Sequence, residues 1–303
     1  MSETNKKAAA NTTAAGLPET RKKKKSQLKE IWGRLKKNRL AVAGLFIIVM
    51  LILVAIFADV IAPYSYDKQS LKDAFQSPSA AHWFGTDEFG RDIFSRVVYG
   101  SRISFQVGFI AVSIAVVIGG VLGAVAGYYG GMTDNIIMRM MDVALAIPQI
   151  LLAIAIVAAL GPSLTNLMIA VGFSSIPGYA RIVRASVLSI KGQEFVEAAR
   201  AAGSGNARII FKHIIPNVLA PIIVQATLGV ALAILTAAGL SFIGLGIAPP
   251  TPEWGSMLSG GRGYIRDYSY MTLFPGLAIV MTILALNVLG DGLRDALDPK
   301  LKN

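Results

Sequence analysis

Five long stretches without any Asp, Glu, Lys or Arg constrain the fold of this chain more than any other feature. They cover residues 40–58, 103–133, 143–180, 214–252 and 268–290. A helix needs about 20 mostly apolar residues to cross the ~30 Å hydrocarbon layer of a bilayer. Charged residues make up only 16% of the chain, whereas a soluble domain carries about 25%. The sequence therefore predicts an all-α integral membrane protein.

Two of the uncharged stretches are too long for a single crossing, at 38 and 39 residues. The first of them contains Gly161-Pro162-Ser163, a turn signal that should fold it into two helices. The second has prolines near both ends, which favours one long helix with more polar segments before and after it. The predicted total is six membrane-spanning helices.

Basic residues are distributed unevenly along the chain, and this predicts its orientation. Residues 1–39 hold 12 of the 29 Lys and Arg residues and end at the first apolar stretch. Basic residues in short segments stay on the cytoplasmic side. With six spans, 22 basic residues fall on cytoplasmic segments and seven on external ones. Both termini are thus predicted to be cytoplasmic, and the net charge of +11 reflects topology rather than nucleic-acid binding.

These patterns divide the chain into successive segments. They are a disordered basic cytoplasmic tail (1–27), an interfacial amphipathic helix in contact with membrane lipids (28–39), a first transmembrane helix (40–58), an external loop (59–102), a core with five transmembrane helices (103–290) that includes a cytoplasmic loop (181–217), and a cytoplasmic tail (291–303). For residues 28–39, a simple basic stop before the span is an equally good interpretation.

Local spacing gives two further predictions around the second span. The i,i+4 pairs Asp87/Arg91 and Asp92/Arg96 predict a short surface helix with solvated charge pairs that leads into the span. Within the span, Gly119, Gly123 and Gly127 recur every four residues. Small residues at that spacing let two helix backbones approach closely.

The residues needed for covalent chemistry are missing from the sequence. There is no cysteine, and the two histidines, His82 and His213, fall on opposite predicted sides of the membrane. We expect no metal, no cofactor and no catalytic residue, and no glycine-rich phosphate loop is present. Mid-membrane charges, which usually mark proton or ion pathways, are also missing. Asp142, just outside a span, is expected to pair with Arg139.

The cytoplasmic loop contains the most informative pattern. Residues 193–202 include four alanines and no apolar stripe able to bury itself, which predicts an exposed helix. Gly203 is placed to end it with a positive φ angle. A second helix should run from about Asn206 to Ile215 and stop at Pro216. A short helix-turn-helix with small side chains predicts a docking surface for a partner protein.

This loop resembles the EAA loop of ATP-binding-cassette (ABC) importer permeases. That pattern is E-A-A, three residues, G, nine residues and I-x-L-P, and the matching residues here are Glu197, Ala198, Ala199, Gly203 and Pro216. The chain departs from it at His213, where Ile is usual, and at Ile215, where Leu is usual. The resemblance implies type I importer permease architecture, with these residues coupling the permease to an ATPase.

Three more stretches, 84–104, 239–258 and 286–302, resemble the second permease of dipeptide, oligopeptide and nickel importers. Of these, FGTDEFGRDIFSRVVYGSRIS carries the external family motif Gly85, Thr86, Asp87, Gly90, Arg91 and Asp92. The resemblance implies a prokaryotic cell-membrane location and an assembly with a homologous second permease, two ABC ATPase subunits and an extracytoplasmic substrate-binding protein.

The expected activity is import of oligopeptides or dipeptides, driven by ATP hydrolysis in partner subunits, so the chain itself is no enzyme. Peptide is favoured over nickel because peptide systems form the larger group. A nickel importer of the same family is the alternative, and a secondary carrier is the alternative from another class. The external stretches, including Arg91 and Arg262, are expected to contact the binding protein.

Overall fold

The computed structural model describes residues 27–297, and the predictions for most of the basic tail and for residues 298–303 lie outside this range. A π-helical turn, Ile209–Ile214, joins the helix Asn206–Arg208 to the helix Ile215–Phe242. The helices are α1 (Gln27–Leu35), α2 (Arg39–Ile56), α3 (Ala58–Ile61), α4 (Ile93–Tyr129), α5 (Gly131–Leu145), α6 (Gln149–Leu160), α7 (Leu164–Ile190), α8 (Glu194–Ala201), α9 (Asn206–Arg208), α10 (Ile215–Phe242), α11 (Trp254–Gly261) and α12 (Tyr270–Leu297).

Four helical segments are long and apolar enough to cross a membrane: α2, α4, the continuous α9–α10 segment and α12. The pair α5 and α6 passes the same test together, but the two helices are bent by 85°. Residues 27–297 thus contain four such helices, or five if the bent pair is one span. The predicted count of six and the cytoplasmic placement of both termini stay predictions.

Helix α4 begins at Ile93, ten residues before the predicted start of the second span at residue 103. One continuous helix of 37 residues, roughly 55 Å long at 1.5 Å per residue, replaces the expected surface helix and separate span. The predicted external loop therefore ends at residue 92. The helix continues because its charges find partners: the Arg102 Nη2 donates to Ile56 O at 2.8 Å and to Asp59 Oδ2 at 2.9 Å.

The third predicted span is not the single continuous helix expected from about residue 143 to residue 160. Helix α5 ends at Leu145 and α6 begins at Gln149, because Pro148 lacks an N–H and its ring crowds the preceding turn. The 12 residues of α6 cover only about 18 Å. The predicted turn at Gly161-Pro162-Ser163 is confirmed, and the Ser163 Oγ accepts the Asn166 N–H at 3.1 Å to begin α7.

Helices α4 and α7 pack backbone to backbone, as the glycine spacing predicted. A Cβ added to Gly119 would lie 2.7 Å from Ile176 O, and one added to Gly123 would lie 2.3 Å from Ala180 O. At Gly127 the added atom would lie 2.9 Å from Val187 Cβ. These contacts are closer than any side chain allows, so the three glycines set the distance between the two helices.

Helix α1 confirms the predicted helix near the N-terminus, although it ends at Leu35 rather than at residue 39. The Leu35 side chain is buried in one cluster with Ala41 and Ala296, so α1 packs against the end of α12. Asn38 then caps α2 by accepting the Ala41 N–H at 3.1 Å. Helix α12 continues to Leu297, so the first residues of the predicted C-terminal tail are helical.

We predict that Gly123→Ala destabilises the bundle by about 1–3 kcal/mol, the usual cost of overpacking, because the new Cβ would strike Ala180 O. Gly120→Ala is the matched control, since a Cβ there meets no atom within 4 Å. Thermal unfolding of the two purified variants in detergent checks this. Equal unfolding midpoints would contradict the close α4–α7 contact.

Candidate functional site

The elbow, which we define as residues 193–208, is the helix-turn-helix that the sequence predicted. Helix α8 covers Glu194–Ala201 and α9 begins at Asn206. Gly203 lies between them with φ +76°. The predicted positive φ is thus confirmed, and it is a conformation that residues with a Cβ adopt only at a cost of about 1–2 kcal/mol.

Two backbone hydrogen bonds close the turn after α8. The Ser204 N–H donates to Ala199 O at 3.1 Å and the Gly203 N–H donates to Arg200 O at 3.0 Å. This pair of bonds defines a Schellman motif, which uses the left-handed residue to satisfy the last carbonyls of a helix. A Cβ on Gly203 would meet no atom within 4 Å, so the requirement for glycine is one of backbone angle and not of space.

The elbow has one buried and one exposed face. Val196 is fully buried in a cluster with Val183, Val187 and Ile209, and Phe195 packs against this cluster. The expectation that residues 193–202 have no apolar face to bury is therefore wrong.

The opposite face of α8 is exposed and carries mostly small side chains. Its members are Glu194, Glu197, Ala198, Ala201 and Ala202. Small side chains allow a second protein to approach the helix backbone closely. Of the predicted coupling residues, Ala199 alone is half-buried, while Glu197, Ala198, Gly203 and Pro216 are exposed.

The second helix of the elbow does not stop at Pro216, as the sequence predicted, but continues through α10. Pro216 occupies the first turn of α10, directly after the π-helical turn. There the Ile215 N–H bonds to Ile210 O, five residues back. The wider turn places the proline where its missing N–H matters least, because a helix tolerates proline at its start.

The external family motif forms a buried charge network at the other end of α4. The carboxylate of Asp87 accepts the N–H groups of Phe89 and Arg91, each at 2.9 Å, and the Arg91 Nε at 2.6 Å. The Arg96 Nε lies 3.7 Å from the same carboxylate, and its Nη1 donates to Tyr66 O at 2.9 Å and Pro250 O at 3.2 Å. Asp87 and Arg96 therefore connect segments that are far apart in sequence.

The remaining motif residues shape the same region. Gly85 and Gly90 have φ +80° and +71°, and a Cβ on Gly90 would overlap Ser70 O. Thr86 forms an isolated β-bridge with Asp92. Asp92 caps α4 by accepting the Ser95 N–H at 2.7 Å. We call this assembly, residues 62–92 with 243–269, the cap.

The structure corrects three predictions about these charges. Residues 84–92 are not helical, so Asp87 and Arg91 pair within a turn rather than on a helix. Asp92 contacts His82 Nδ1 at 2.9 Å instead of Arg96. The sequence predicts that Arg91 contacts the binding protein, but its side chain is only 5% exposed and is not available to a docking protein. Arg262, in contrast, is exposed.

Helix α11 attaches the second part of the cap to α4. Trp254 is 1% exposed, and its Nε1 donates to Val97 O at 3.0 Å. Burial raises the pKa of the Glu253 carboxyl. The N–H groups of Gly255 and Ser256 donate to that carboxyl, each at 2.8 Å, and so cap α11.

Helix α4 separates the cap from the elbow. Asp92 begins it at the cap, and near its end the Tyr128 Oη donates to Asn206 Oδ1 of the elbow at 2.8 Å. His82 lies with the cap and His213 with the elbow, on opposite ends of the helix. Among residues 27–297, no group of three His, Cys, Asp or Glu side chains is placed to hold a metal ion.

A cavity of about 590 Å³ lies beside the elbow, between α7, α10 and α12. Gln225, one of the polar residues near the spans, contributes to its lining, together with Ser186 and Arg294. Asn166 instead bonds through its Nδ2 to Leu160 O and Gly161 O, each at 2.9 Å, which is a role in the turn between α6 and α7.

A bundle of membrane-length helices with a polar cap at one end and an exposed helix-turn-helix at the other is the arrangement of a multi-pass membrane protein. Comparison with known families agrees. Residues 119–303 match the family described as binding-protein-dependent transport system inner membrane component. Residues 26–78 match the N-terminal TM domain of oligopeptide transport permease C.

Characterised relatives match over nearly their whole length. The chain is 54% identical over 278 residues to the dipeptide transport system permease protein DppC of Alkalihalophilus pseudofirmus, covering 92% of this chain and 91% of that protein. It is 48% identical over 277 residues to the glutathione transport system permease protein GsiD of Escherichia coli, covering 90% of each. The chain therefore belongs to the family of inner membrane permeases of ABC importers, in its peptide and nickel branch.

Solved structures show the same fold. An inward-facing structure of the MetNI methionine ABC transporter superposes with a TM-score of 0.55 at 19% identity, covering 67% of this chain and 96% of that chain. An amino acid ABC transporter crystallised with histidines gives a TM-score of 0.52 at 18% identity, over 66% and 94%. The predicted all-α, type I importer permease fold is thus confirmed, and the family description confirms the predicted location in the cell membrane.

Sequence reasoning missed the residues that hold the site together. Arg96 and Trp254 make long-range contacts that no local spacing indicates. Asp142 pairs with Arg181 Nη2 at 2.8 Å, not with Arg139 as expected, because the partner comes from a helix distant in sequence.

We predict that Asp87→Ala destabilises the protein by about 3–5 kcal/mol, since it leaves the buried Arg91 and Arg96 without their carboxylate. The matched control is Asp59→Ala. Asp59 pairs with Arg102 at 2.9 Å, but its side chain is 68% exposed. Asp59→Ala should therefore change the midpoint of thermal unfolding little. Thermal unfolding in detergent compares the two variants. An unfolding midpoint that falls equally in both would refute the assigned role of the cap network.

Proposed function

We propose that this chain is the second permease of an importer for dipeptides or short oligopeptides. The main support for peptides as the substrate class is the 54% identity to a dipeptide permease over 92% of the chain. The relative at 48% identity is named for glutathione, which is itself a tripeptide. Both names thus indicate small peptides as the transported class.

The proposed assembly contains four other subunits. A homologous permease would complete the translocation path as a heterodimer, and two ABC ATPase subunits would hydrolyse ATP. An extracytoplasmic binding protein would deliver the peptide, in keeping with the family description. In this proposal the chain performs no hydrolysis of its own, and the exposed surface of the cap, including Arg262, receives the binding protein.

The elbow is the proposed contact with an ATPase subunit. Its exposed face offers Glu197, Ala198 and Ala201 to a groove on the partner, while Val196 fixes α8 to α7. A movement of the ATPase would therefore be transmitted to α7 as a rigid body. Rigid-body rotation of this kind is a common way to alternate between two states.

Competition in an uptake assay tests the substrate class. Cells that express the complete importer as their only peptide permease should accumulate radiolabelled dialanine. An excess of unlabelled dipeptide or tripeptide should abolish this uptake, whereas free alanine or Ni²⁺ should not. Uptake of ⁶³Ni²⁺ that peptides do not inhibit would instead favour a nickel importer.

For the coupling role we predict that Gly203→Val lowers peptide uptake at least tenfold and weakens ATPase co-purification. Valine at φ +76° costs roughly 1–2 kcal/mol and should tilt α8. Glu197→Lys should act similarly by placing the wrong charge on the docking face. Neither change touches a membrane helix, so the permease should still insert.

The control for this prediction is Gly192→Val. Gly192 lies directly before the elbow, its φ is not in the left-handed region, and an added Cβ meets no atom within 4 Å, so uptake should stay near that of the native protein. Variants are compared at matched permease levels in membranes. Normal uptake and normal ATPase recovery with Gly203→Val would show that the elbow does not couple the two subunits.

A further inference from the structure

Helix α5 is attached to the bundle without any buried side chain. It begins at Gly131, directly after Gly130. These two glycines have φ +54° and +68°, and a Cβ on Gly131 would meet no atom within 4 Å. It ends at the break before Pro148, where α6 turns by 85°. Because α5 lies between two such breaks and has no buried side chain of its own, its position relative to the bundle depends on its polar contacts.

Those polar contacts all reach helix α7. The carboxylate of Asp134 accepts the Nε and Nη2 of Arg184 at 2.5 and 2.6 Å, a bidentate geometry that fixes direction as well as distance. Asp142 accepts the Arg181 Nη2 at 2.8 Å. Near the start of α6, the Gln149 Nε2 donates to Ser175 Oγ at 2.9 Å.

The two ion pairs differ in their exposure to water. The side chains of Asp134 and Arg184 are 15% and 30% exposed, whereas those of Asp142 and Arg181 are 52% and 58% exposed. Exposed pairs contribute little because water and salt screen them. The Asp134–Arg184 pair is therefore the main fixed connection between α5 and α7.

Arg184 lies in the part of α7 that packs against the elbow. Val183 and Val187 share a buried cluster with Val196 of α8. On the α4 side, a Cβ on Gly123 would lie 3.0 Å from Arg184 N, and one on Gly127 would lie 3.0 Å from Arg184 O. The backbone of Arg184 is thus held by the glycine contact while its side chain reaches α5.

We infer that Asp134 and Arg184 are positioning residues for energy coupling. Their ion pair makes α5, and with it the bend at Pro148, follow the movement of α7 that starts at the elbow. This inference rests on the proposed coupling role of the elbow. Without the pair, the ATPase still docks and hydrolyses ATP, but α5 no longer moves with α7 and less peptide is transported for each ATP consumed.

A charge exchange tests the pair in the complete importer, reconstituted into liposomes with its ATPase subunits and binding protein. Asp134→Arg and Arg184→Asp should each lower the ratio of dipeptide transported to ATP hydrolysed by about tenfold, within the range of couplings between contacting residues. The double variant should restore the ratio to within about threefold of the native value. A purely structural role would change the yield of complex but not this ratio.

The control is Asp59→Arg, which breaks the exposed Asp59–Arg102 pair between α3 and α4 and should leave the ratio unchanged. If a reversed variant fails to fold or to insert into the membrane, Asp134→Asn and Arg184→Lys are measured instead, because each removes the bidentate contact with a smaller change. An unchanged ratio in the single variants, or no recovery in the double variant, overturns the inference. Loss of ATPase subunits from Asp134→Arg, as expected for elbow variants, overturns it as well.

A second measurement follows α5 directly. The chain has no cysteine, so Met140→Cys, at a position 63% exposed, provides a single label on α5. ATP should change its rate of maleimide labelling in the otherwise native importer and in the charge exchange, but not in Asp134→Arg alone. An equal ATP response in all three would contradict the inference even if transport falls.

Discussion

The close backbone contact between α4 and α7 is the constraint on which the rest of the structure depends. Gly119, Gly123 and Gly127 leave no room for a Cβ against Ile176, Ala180 and Val187. In lipid, where apolar burial gives little force between helices, such contacts supply much of the packing energy. Because α4 begins at the cap and α7 leads into the elbow, this one contact sets the position of both.

The two ends of the molecule are built on different physical principles. In the cap, charges are buried and fully paired around Asp87, so the family motif there is structural and the surface available for docking lies elsewhere. In the elbow, a single buried valine holds α8 while small residues and Glu197 remain exposed. A rigid cap and an accessible elbow fit a subunit that receives a partner at each end.

The features predictable from the sequence were those encoded locally. The uncharged stretches indicated membrane helices, the i,i+4 glycines indicated a close helix contact, and Gly203 indicated a left-handed turn. Each of these is a property of one continuous segment of the chain. Charge spacing was misleading for the same reason: Asp92 and Arg96 fit a helical pair, but Asp92 caps α4 and Arg96 contacts Asp87, Tyr66 and Pro250. The bend at Pro148 and the Asp134–Arg184 pair depend on tertiary neighbours, which no local pattern specifies.

The proposed contact between the exposed face of α8 and an ATPase subunit is open to a direct test. Site-specific cross-linking tests it most directly, since a single cysteine can be introduced into this cysteine-free chain. With a cysteine in place of Ala202, at the exposed end of the elbow, a short photo-activated cross-linker should capture the ATPase subunit in the assembled importer. The same cross-linker on a cysteine in place of the exposed Ser79 in the cap should not capture it. Failure of Ala202→Cys to cross-link in an assembled, active complex, or capture of the ATPase by Ser79→Cys in the cap, would show that α8 is not the contact with the ATPase.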